Sequence, residues 1–218
     1  MPKILITGNG FDLNLGLPTS FIDFINILNS LNKSSEITFN SIYSNSSNYN
    51  MITERYSAFT FDIDKIETLR CNIQNNVWFL FFHGELEIET WIDFENRIEY
   101  VLNSLFKSVK YIQSNIFSKG SLSKDYIVYR PELFNYDIEI IQVLRRFGII
   151  NLEKNGDLVL NTHFLVDKYD HFIDLDLNKI TQTLIDELGK FKKIFALYFE
   201  VFVYPLYDKL NSSDKRNF

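Results

Sequence analysis

The feature that most constrains the fold of this chain is a glycine-containing stretch near its start, between a strand-like and a helix-like segment. Residues 3–7 form an apolar, β-branched run, which is typical of a strand covered on both faces in a parallel sheet. Gly8-Asn9-Gly10 follows directly, and residues 21–28 have apolar side chains at helical spacing, with Thr19 or Ser20 as the N-cap. This order predicts an α/β unit that opens with a central strand, a glycine loop and a helix.

The residue types in the loop suit a phosphorylated ligand. Gly8 and Gly10 allow positive φ and a close approach of the backbone to a ligand, and N–H groups before a helix can cradle phosphate oxygens. The stretch is neither a dehydrogenase fingerprint, because Leu13 stands in the place of the third glycine, nor a Walker A loop, because Gly-Lys-Ser/Thr is missing. A tight strand-to-helix turn without a ligand is the alternative for a bare Gly-x-Gly.

Two longer motifs carry a family resemblance. Gly-Asn-Gly-Phe-Asp, then Gly-Leu-Pro-Thr-Ser-Phe and Asp-Phe, span residues 8–24 without a gap and strongly resemble the N-terminal motif of the AbiH family of bacterial phage-defence (abortive infection) proteins. Trp91-Ile92-Asp93-Phe94-Glu95 is similar to a tryptophan, acid and glutamate element that the family carries on a helix. The first motif also looks like the opening of sirtuin-like domains, in which a glycine loop and a later Gly-x-Pro surround NAD.

The resemblance implies a Rossmann-like (sirtuin-like) strand, loop and helix that binds NAD or a related nucleotide. The residues expected to line the nucleotide are Gly8, Asn9, Gly10, Phe11, Asp12, Gly16, Leu17, Pro18 and Thr19. The first three are expected at the diphosphate, and residues 16–18 in a segment that closes over the ligand. Asp12 either hydrogen-bonds a ribose hydroxyl or caps the helix start. Asp12 and Glu95 are the acids expected to act in catalysis.

The resemblance also has a limit. The family and sirtuin-like NADases are expected to carry an Asn-Tyr or Asn-x-Asp element followed by a His-Gly dipeptide. Here Asn135-Tyr136-Asp137 comes after His83-Gly84, so the order is reversed. The chain therefore looks like an N-terminal portion of the family pattern, truncated or split, and independent catalysis is in question.

The rest of the chain predicts a mainly helical fold class with a small β-hairpin. We expect residues 1–30 to be the nucleotide-binding unit, residues 31–60 a Ser/Asn-rich loop, and residues 61–218 a mainly helical region. Helix-like spacing covers residues 62–82, 86–113, 132–147 and 176–210. Asn155-Gly156 between two apolar runs predicts a hairpin near residues 149–160.

Composition and short sequence patterns limit the binding partners and the cellular compartment that we expect for this chain. A formal charge of -6 disfavours nucleic-acid binding as the main activity, although Arg145-Arg146 could form a local basic patch. The single Cys71 excludes an intramolecular disulfide, and the three histidines form no sequence-local metal pair, so we expect no metal site. The start lacks the pattern of a signal peptide, and the most apolar segment, residues 194–207, is too short to span a bilayer. We expect a cytoplasmic protein without a membrane contact.

Three functional hypotheses follow. The first is that the chain binds NAD or a related nucleotide, and cleaves NAD through an oxocarbenium-like state where its site is complete. The second is a non-catalytic binding or regulatory module of a defence system, acting through a homo-oligomer or a partner protein, and the third is a metal-dependent nuclease using Asp93 and Glu95. The sequence does not reveal the phage-derived trigger.

Overall fold

The structure, a computed structural model, describes residues 9–34, 36–56, 59–83, 90–117, 128–129, 138–152, 158–167 and 173–210. The chain divides into two compact units. The first unit comprises residues 1–94 and 188–218, and the second comprises residues 95–187.

Helices dominate the described residues. They are α1 (Asn9–Asn14), α2 (Phe21–Lys33), α3 (Phe39–Tyr43), α4 (Tyr49–Arg55), α5 (Ile63–Asn75), α6 (Val77–His83), α7 (Trp91–Phe117), α8 (Ile138–Arg146), α9 (Leu177–Tyr198) and α10 (Tyr204–Lys209). A π-helical turn, Phe199–Val203, joins α9 to α10, and a 3₁₀ turn spans Thr162–Phe164. No helix among these residues is both long enough and apolar enough to cross a bilayer.

The strands in the described part of the chain are two or three residues long and pair in antiparallel fashion. They are β1 (Val128–Tyr129), β2 (Ile150–Leu152), β3 (Leu158–Leu160), β4 (Leu165–Asp167) and β5 (Ile173–Leu175). One sheet has the order β1-β3-β2, and β4 pairs with β5 in a second sheet. In the hairpin region Asn151 lies opposite Val159, while the Asn155-Gly156 turn itself falls outside the described residues.

The Rossmann-like (sirtuin-like) fold prediction is wrong. A Rossmann unit needs a parallel sheet built through crossover helices, whereas the pairs that the structure describes are short and antiparallel. After α2 the chain continues into α3, α4 and α5 instead of returning to a second strand. The predicted first strand, residues 3–7, and Gly8 lie outside the described residues. Aromatic side chains between helices supply the core that a sheet was expected to supply.

Phe24 on α2 lies at the centre of this aromatic core in the first unit. Its side chain is fully buried. Its ring centroid lies 5.5 Å from that of Trp91, 5.8 Å from that of Phe195 and 5.0 Å from that of Tyr198. Burial of one such side chain stabilises a fold by about 1.5–3 kcal/mol, and each well-oriented ring pair adds about 0.5–1.5 kcal/mol. The start of α2 is therefore fixed, within this unit, against Trp91 at the beginning of α7 and against the C-terminal turns of α9.

The Ser/Asn-rich segment, expected to be a loop, contains α3 and α4. Thr38 begins α3 through a capping box, in which Thr38 and Ser41 each accept the other's backbone N–H at a side-chain oxygen. Ile42 and Tyr43 are fully buried. Local capping and these buried apolar side chains stabilise helices in a segment whose Ser/Asn-rich composition predicts a loop.

Glycines in the left-handed region end two of the helices. Gly16, with φ 78°, follows α1, and Gly148, with φ 69°, follows α8. After α1, Leu17 N–H donates to the carbonyl of Asp12 and Gly16 N–H to that of Leu13, at 3.0 and 2.9 Å. This is a Schellman cap, which satisfies the last carbonyls of the helix and turns the chain sharply.

We predict that Gly16→Ala destabilises the protein more than Gly148→Ala. Both substitutions force an L-residue into the left-handed region, at about 1–2 kcal/mol. At Gly16 the added Cβ would also meet the Met51 side chain at 2.7 Å, whereas nothing lies within 4 Å of the corresponding position at Gly148. Urea unfolding of each full-length variant measures the two losses, and equal losses would show that Met51 moves aside without cost.

Candidate functional site

The segment between α1 and α2 is the buried centre of the first motif. Leu15, Leu17 and Thr19 are at most 3% exposed. A buried segment without regular structure must find donors for its carbonyl groups, because an unpaired buried carbonyl costs free energy comparable to a lost hydrogen bond. The segment meets this demand with side chains from distant parts of the chain.

The C-terminal end of α4 supplies donors to the first carbonyls of this segment. The Tyr56 hydroxyl donates to the Leu15 carbonyl at 2.5 Å, and Arg55 donates from its guanidinium to the Asn14 carbonyl at 3.1 Å. Tyr56 is only 3% exposed. The Ser/Asn-rich segment thus positions α4 so that its last residues hold the end of α1.

Helices α9 and α7 supply donors to the later carbonyls. The Tyr198 hydroxyl donates to the Pro18 carbonyl at 2.6 Å, and the Trp91 indole N–H donates to the Thr19 carbonyl at 3.0 Å. The Trp91 ring also meets Phe21 edge to face at a centroid distance of 5.1 Å. The tryptophan of the second motif therefore packs directly on the first motif.

The buried Tyr198 hydroxyl remains a neutral donor at any physiological pH. Burial raises its pKa well above the ordinary value of 10, and the negative charge of Asp23 raises it further. Burial likewise raises the pKa of Tyr43, whose hydroxyl donates to the Phe202 carbonyl in the π-helical turn at 2.7 Å. These bonds are structural and do not switch with pH.

Asp23 is a fully buried carboxylate that sequence reasoning did not single out as a functional residue. Its oxygens accept hydrogen bonds from the Ser20 hydroxyl at 2.7 Å, the Ser46 hydroxyl at 2.9 Å and the Ser47 backbone N–H at 2.8 Å. Ser20, in turn, is the N-cap of α2 and accepts from the Asp23 N–H. These donors come both from the start of α2 and from the Ser/Asn-rich segment. The Asp23 carboxylate therefore joins the two segments through hydrogen bonds. The Ser-x-x-Asp spacing at residues 20–23 is the signal that could have indicated this role.

Asp12 lies in a different environment. It is on α1, ahead of the Schellman cap, and its side chain is partly buried. Among the described residues, none donates a hydrogen bond to its carboxylate, and burial raises its pKa above the ordinary value of an aspartate. Asp12 does not cap the start of α1, which begins at Asn9. The fold accepts an ionised carboxylate here at a cost in stability and, within the described part, gives it no partner.

The structure describes some of the other predicted nucleotide-lining residues fully and others only in part or not at all. Gly16, Leu17, Pro18 and Thr19 form the buried turn, where Gly16 is required by its positive φ and by the nearby Met51. Asn9, Gly10 and Phe11 are in α1, where only the backbone is described, and Gly8 lies outside the described residues. A role for each of them in ligand binding stays a prediction.

The second motif separates into a capping residue and an exposed acid. The Thr90 hydroxyl and Asp93 form a capping box at the start of α7, since Thr90 N–H donates to the Asp93 carboxylate at 3.0 Å and Asp93 N–H donates to the Thr90 hydroxyl at 3.1 Å. Glu95, two residues later, is exposed on α7. The predicted catalytic role of Glu95 stays untested, and Asp93 has a structural function that accounts for its position.

Nothing in the described part of the chain assembles a metal site. Across those residues there is no group of three or more His, Cys, Asp or Glu side chains that could hold an ion. His83 is exposed at the end of α6, with its ring stacked on Phe79 at 6.2 Å. Gly84 and residues 135–137, the elements compared with the family's later motif, fall outside the described residues.

A family model described as "Bacteriophage abortive infection AbiH" matches residues 4–155, a range that includes both motifs. Comparison with curated proteins gives no match, and neither does comparison with solved structures.

We predict that Tyr198→Phe lowers the free energy of unfolding by about 1–3 kcal/mol, because the buried Pro18 carbonyl loses its donor while the ring packing is kept. Tyr204→Phe is the matched control, since the Tyr204 side chain is 57% exposed, and we expect a change within about 0.5 kcal/mol. Denaturant unfolding followed by circular dichroism measures both. Equal stability of the two variants would contradict the proposed importance of the carbonyl bond.

We predict that Asp12→Asn stabilises the protein at pH 7. A raised folded-state pKa means that the native state favours the protonated form of Asp12. The contribution of Asp12 to the stability of the original chain is therefore most favourable below the unfolded pKa and is lost as pH rises through the folded pKa, whereas asparagine has no charge to bury at any pH. The stability difference between Asp12→Asn and the original chain should therefore shrink as pH falls from 7 towards 4. Thermal midpoints across this range measure it, with Glu54→Gln, an exposed acid on α4, as the control. A less stable Asp12→Asn variant at pH 7 would mean that the carboxylate has a stabilising partner.

Proposed function

The chain belongs to the AbiH family of bacteriophage abortive infection proteins, and from that premise we propose that it acts in phage defence by binding NAD or a related nucleotide beside Asp12. The proposed site is centred on the partly buried carboxylate of Asp12 on α1. The ligand class rests on the family motif and on the chemistry of Asp12. It does not rest on a Rossmann-like sheet.

The observation that carries the proposal is the contrast between two aspartates of the same motif. Asp23 is surrounded by donors of the fold, whereas no described residue donates to Asp12, whose pKa is raised by burial. An acid that lowers stability and serves no structural contact is typical of a functional position, because function tolerates local instability that folding would remove. A carboxylate can accept hydrogen bonds from both vicinal hydroxyls of a ribose.

Rigidity of the neighbouring turn supports the same proposal. The carbonyls that follow α1 are held by Tyr56, Tyr198 and Trp91. The turn therefore cannot relax around Asp12 without breaking buried hydrogen bonds. A preorganised acid loses little conformational entropy when a ligand binds, and this preorganisation increases affinity.

A second function, a module that acts through protein contacts, is favoured by the exposed face of α7. Leu102 and Phe106, one helical turn apart, are 38% and 53% exposed. Apolar side chains exposed at this spacing can dock against another chain. This alternative does not require nucleotide binding and predicts a stable oligomer or complex.

The experiment is a thermal-shift measurement on the full chain with NAD and with ADP-ribose. A ligand at about a hundredfold its dissociation constant stabilises by roughly 2.7 kcal/mol, which is roughly 5–10 °C for a chain of this size. We predict that Asp12→Asn abolishes the shift although it raises the midpoint of the unliganded protein. Glu54→Gln should keep the shift.

The same samples distinguish binding from cleavage. Release of nicotinamide by the original chain, reduced in both Asp12→Asn and Glu95→Gln, would support NAD hydrolysis, whereas a shift without turnover would support a binding role. No shift with either ligand in the original chain would overturn the nucleotide proposal. A concentration-dependent oligomer lost in Phe106→Ser would then favour the module that acts through protein contacts.

A further inference from the structure

Asp23 accepts more hydrogen bonds than the start of α2 requires. As part of the cap, its carboxylate accepts from the Ser20 hydroxyl at 2.7 Å. One of its oxygens also accepts from the Ser46 hydroxyl at 2.9 Å and from the Ser47 N–H and hydroxyl at 2.8 and 3.0 Å. Burial of a carboxylate is costly unless hydrogen bonds compensate it, and those to an ionised group are roughly twice as strong as neutral ones. The buried charge is therefore held by a segment 23 and 24 residues further along the chain.

Ser46 and Ser47 lie directly before α4 and connect Asp23 to this helix. The Ser46 hydroxyl, which donates to Asp23, also accepts the N–H of Asn48 at 3.3 Å. The Ser46 carbonyl accepts the Tyr49 N–H at 3.2 Å. Asn48 is the N-cap of α4, but its side chain makes no capping bond. The beginning of α4 therefore depends on its hydrogen bonds to Ser46.

The other end of α4 holds the end of α1. Arg55 and Tyr56 donate to two consecutive carbonyls, the last of α1 and the next one along the chain. The Met51 side chain of α4 lies so close to Gly16 that a Cβ at Gly16 would meet its sulfur at 2.7 Å. Helix α4 has only seven residues, and helices shorter than about 12–15 residues are marginal in isolation. Loss of its anchor at the start should therefore loosen its contacts at the end.

The end of α1 in turn fixes the backbone of Asp12. The Asp12 carbonyl accepts the Leu15 N–H at 3.1 Å and the Leu17 N–H at 3.0 Å. Tyr56 donates to the carbonyl of the same Leu15. A path of hydrogen bonds thus runs from Asp23 through Ser46 and α4 to Asp12, and every member of it lies in the first unit.

We propose that Asp23 is a positioning residue for the site beside Asp12, and that it acts through α4 by fixing the end of α1. This inference rests on the proposed nucleotide function and deepens it. Asp23 does not have to touch the ligand, because its hydrogen bonds place α4, and α4 holds the backbone that carries the Asp12 carboxylate. Binding groups keep their productive geometry only when a surrounding shell of packing and hydrogen bonds supports them.

The first measurement is hydrogen exchange of the unliganded full chain. In Asp23→Asn an amide group replaces one accepting oxygen, so at least one donor loses its acceptor. We expect the amides of residues 15–17 to exchange about tenfold faster or more, relative to those of residues 188–197 in α9, because local opening becomes easier. Ser46→Ala, which removes the hydroxyl between Asp23 and Asn48 and keeps the buried charge, should have the same effect.

Ile73→Val is the matched control for both measurements. Ile73 is fully buried in α5, and loss of one methyl group from a core side chain lowers stability without touching the path to Asp12. The relative exchange of residues 15–17 should therefore stay unchanged in this variant.

The second measurement is calorimetric titration of the full chain with ADP-ribose. We expect Asp23→Asn and Tyr56→Phe each to weaken binding about threefold to tenfold, as is typical of residues that act without touching the ligand. Because both act through the same path, the double variant should bind no more weakly than the weaker single variant, whereas independent losses would multiply. Ile73→Val should bind as the original chain does.

The two measurements distinguish failure of this inference from failure of the nucleotide proposal. If the original chain does not bind ADP-ribose, the nucleotide proposal fails, and hydrogen exchange alone decides whether Asp23 positions the end of α1. If the original chain binds but neither exchange nor affinity changes in Asp23→Asn and Ser46→Ala, only the positioning role is overturned. Losses that multiply in the double variant would place Asp23 outside the path through Tyr56 and would equally overturn it.

Discussion

The first unit depends on hydrogen bonds from distant side chains to the buried carbonyls between α1 and α2. Tyr56, Trp91 and Tyr198 come from positions 41, 72 and 180 residues away from the carbonyls that they reach. Each is an aromatic residue with a single polar tip, so it can fill the core with its ring and still satisfy a buried acceptor. Burial of the segment without these donors would leave its carbonyls unpaired, at a cost in stability. The same buried segment leads into α2, whose Phe24 packs on Trp91 and Tyr198 in this unit.

The two motifs that identify the family are thus parts of one packed structure. Gly16 adopts the positive φ of the turn after α1, and the Trp91 indole donates a hydrogen bond to a carbonyl of the same segment. Asp23 accepts a hydrogen bond from the Ser/Asn-rich segment. These roles are structural, and they explain several motif residues without any ligand. What they leave unexplained is Asp12, whose burial costs stability and for which no described residue is a donor.

Function therefore has to be assigned from the exceptions to good packing. Asp12 is the exception in the first unit, because no described residue donates a hydrogen bond to it and burial raises its pKa. A carboxylate in this environment suits a hydroxyl-rich ligand.

Local pattern alone was sufficient for α2 and for the longer helices, because apolar spacing and caps such as Ser20 act within a few residues. It missed α1, α3 and α4, which are short helices in segments that were expected to be loops. It was also sufficient for the β2–β3 pairing and for family membership, which rests on short contiguous motifs. It could not decide the fold class, because a glycine loop followed by a helix fits a parallel sheet as well as a helical core, and only strand partners distant in sequence distinguish them. Local pattern also could not assign a structural role to Asp23 or distinguish its role from that of Asp12. Two aspartates in one motif look alike in sequence, and the donors that satisfy one of them, Ser46 and Ser47, are brought to it only by the tertiary structure.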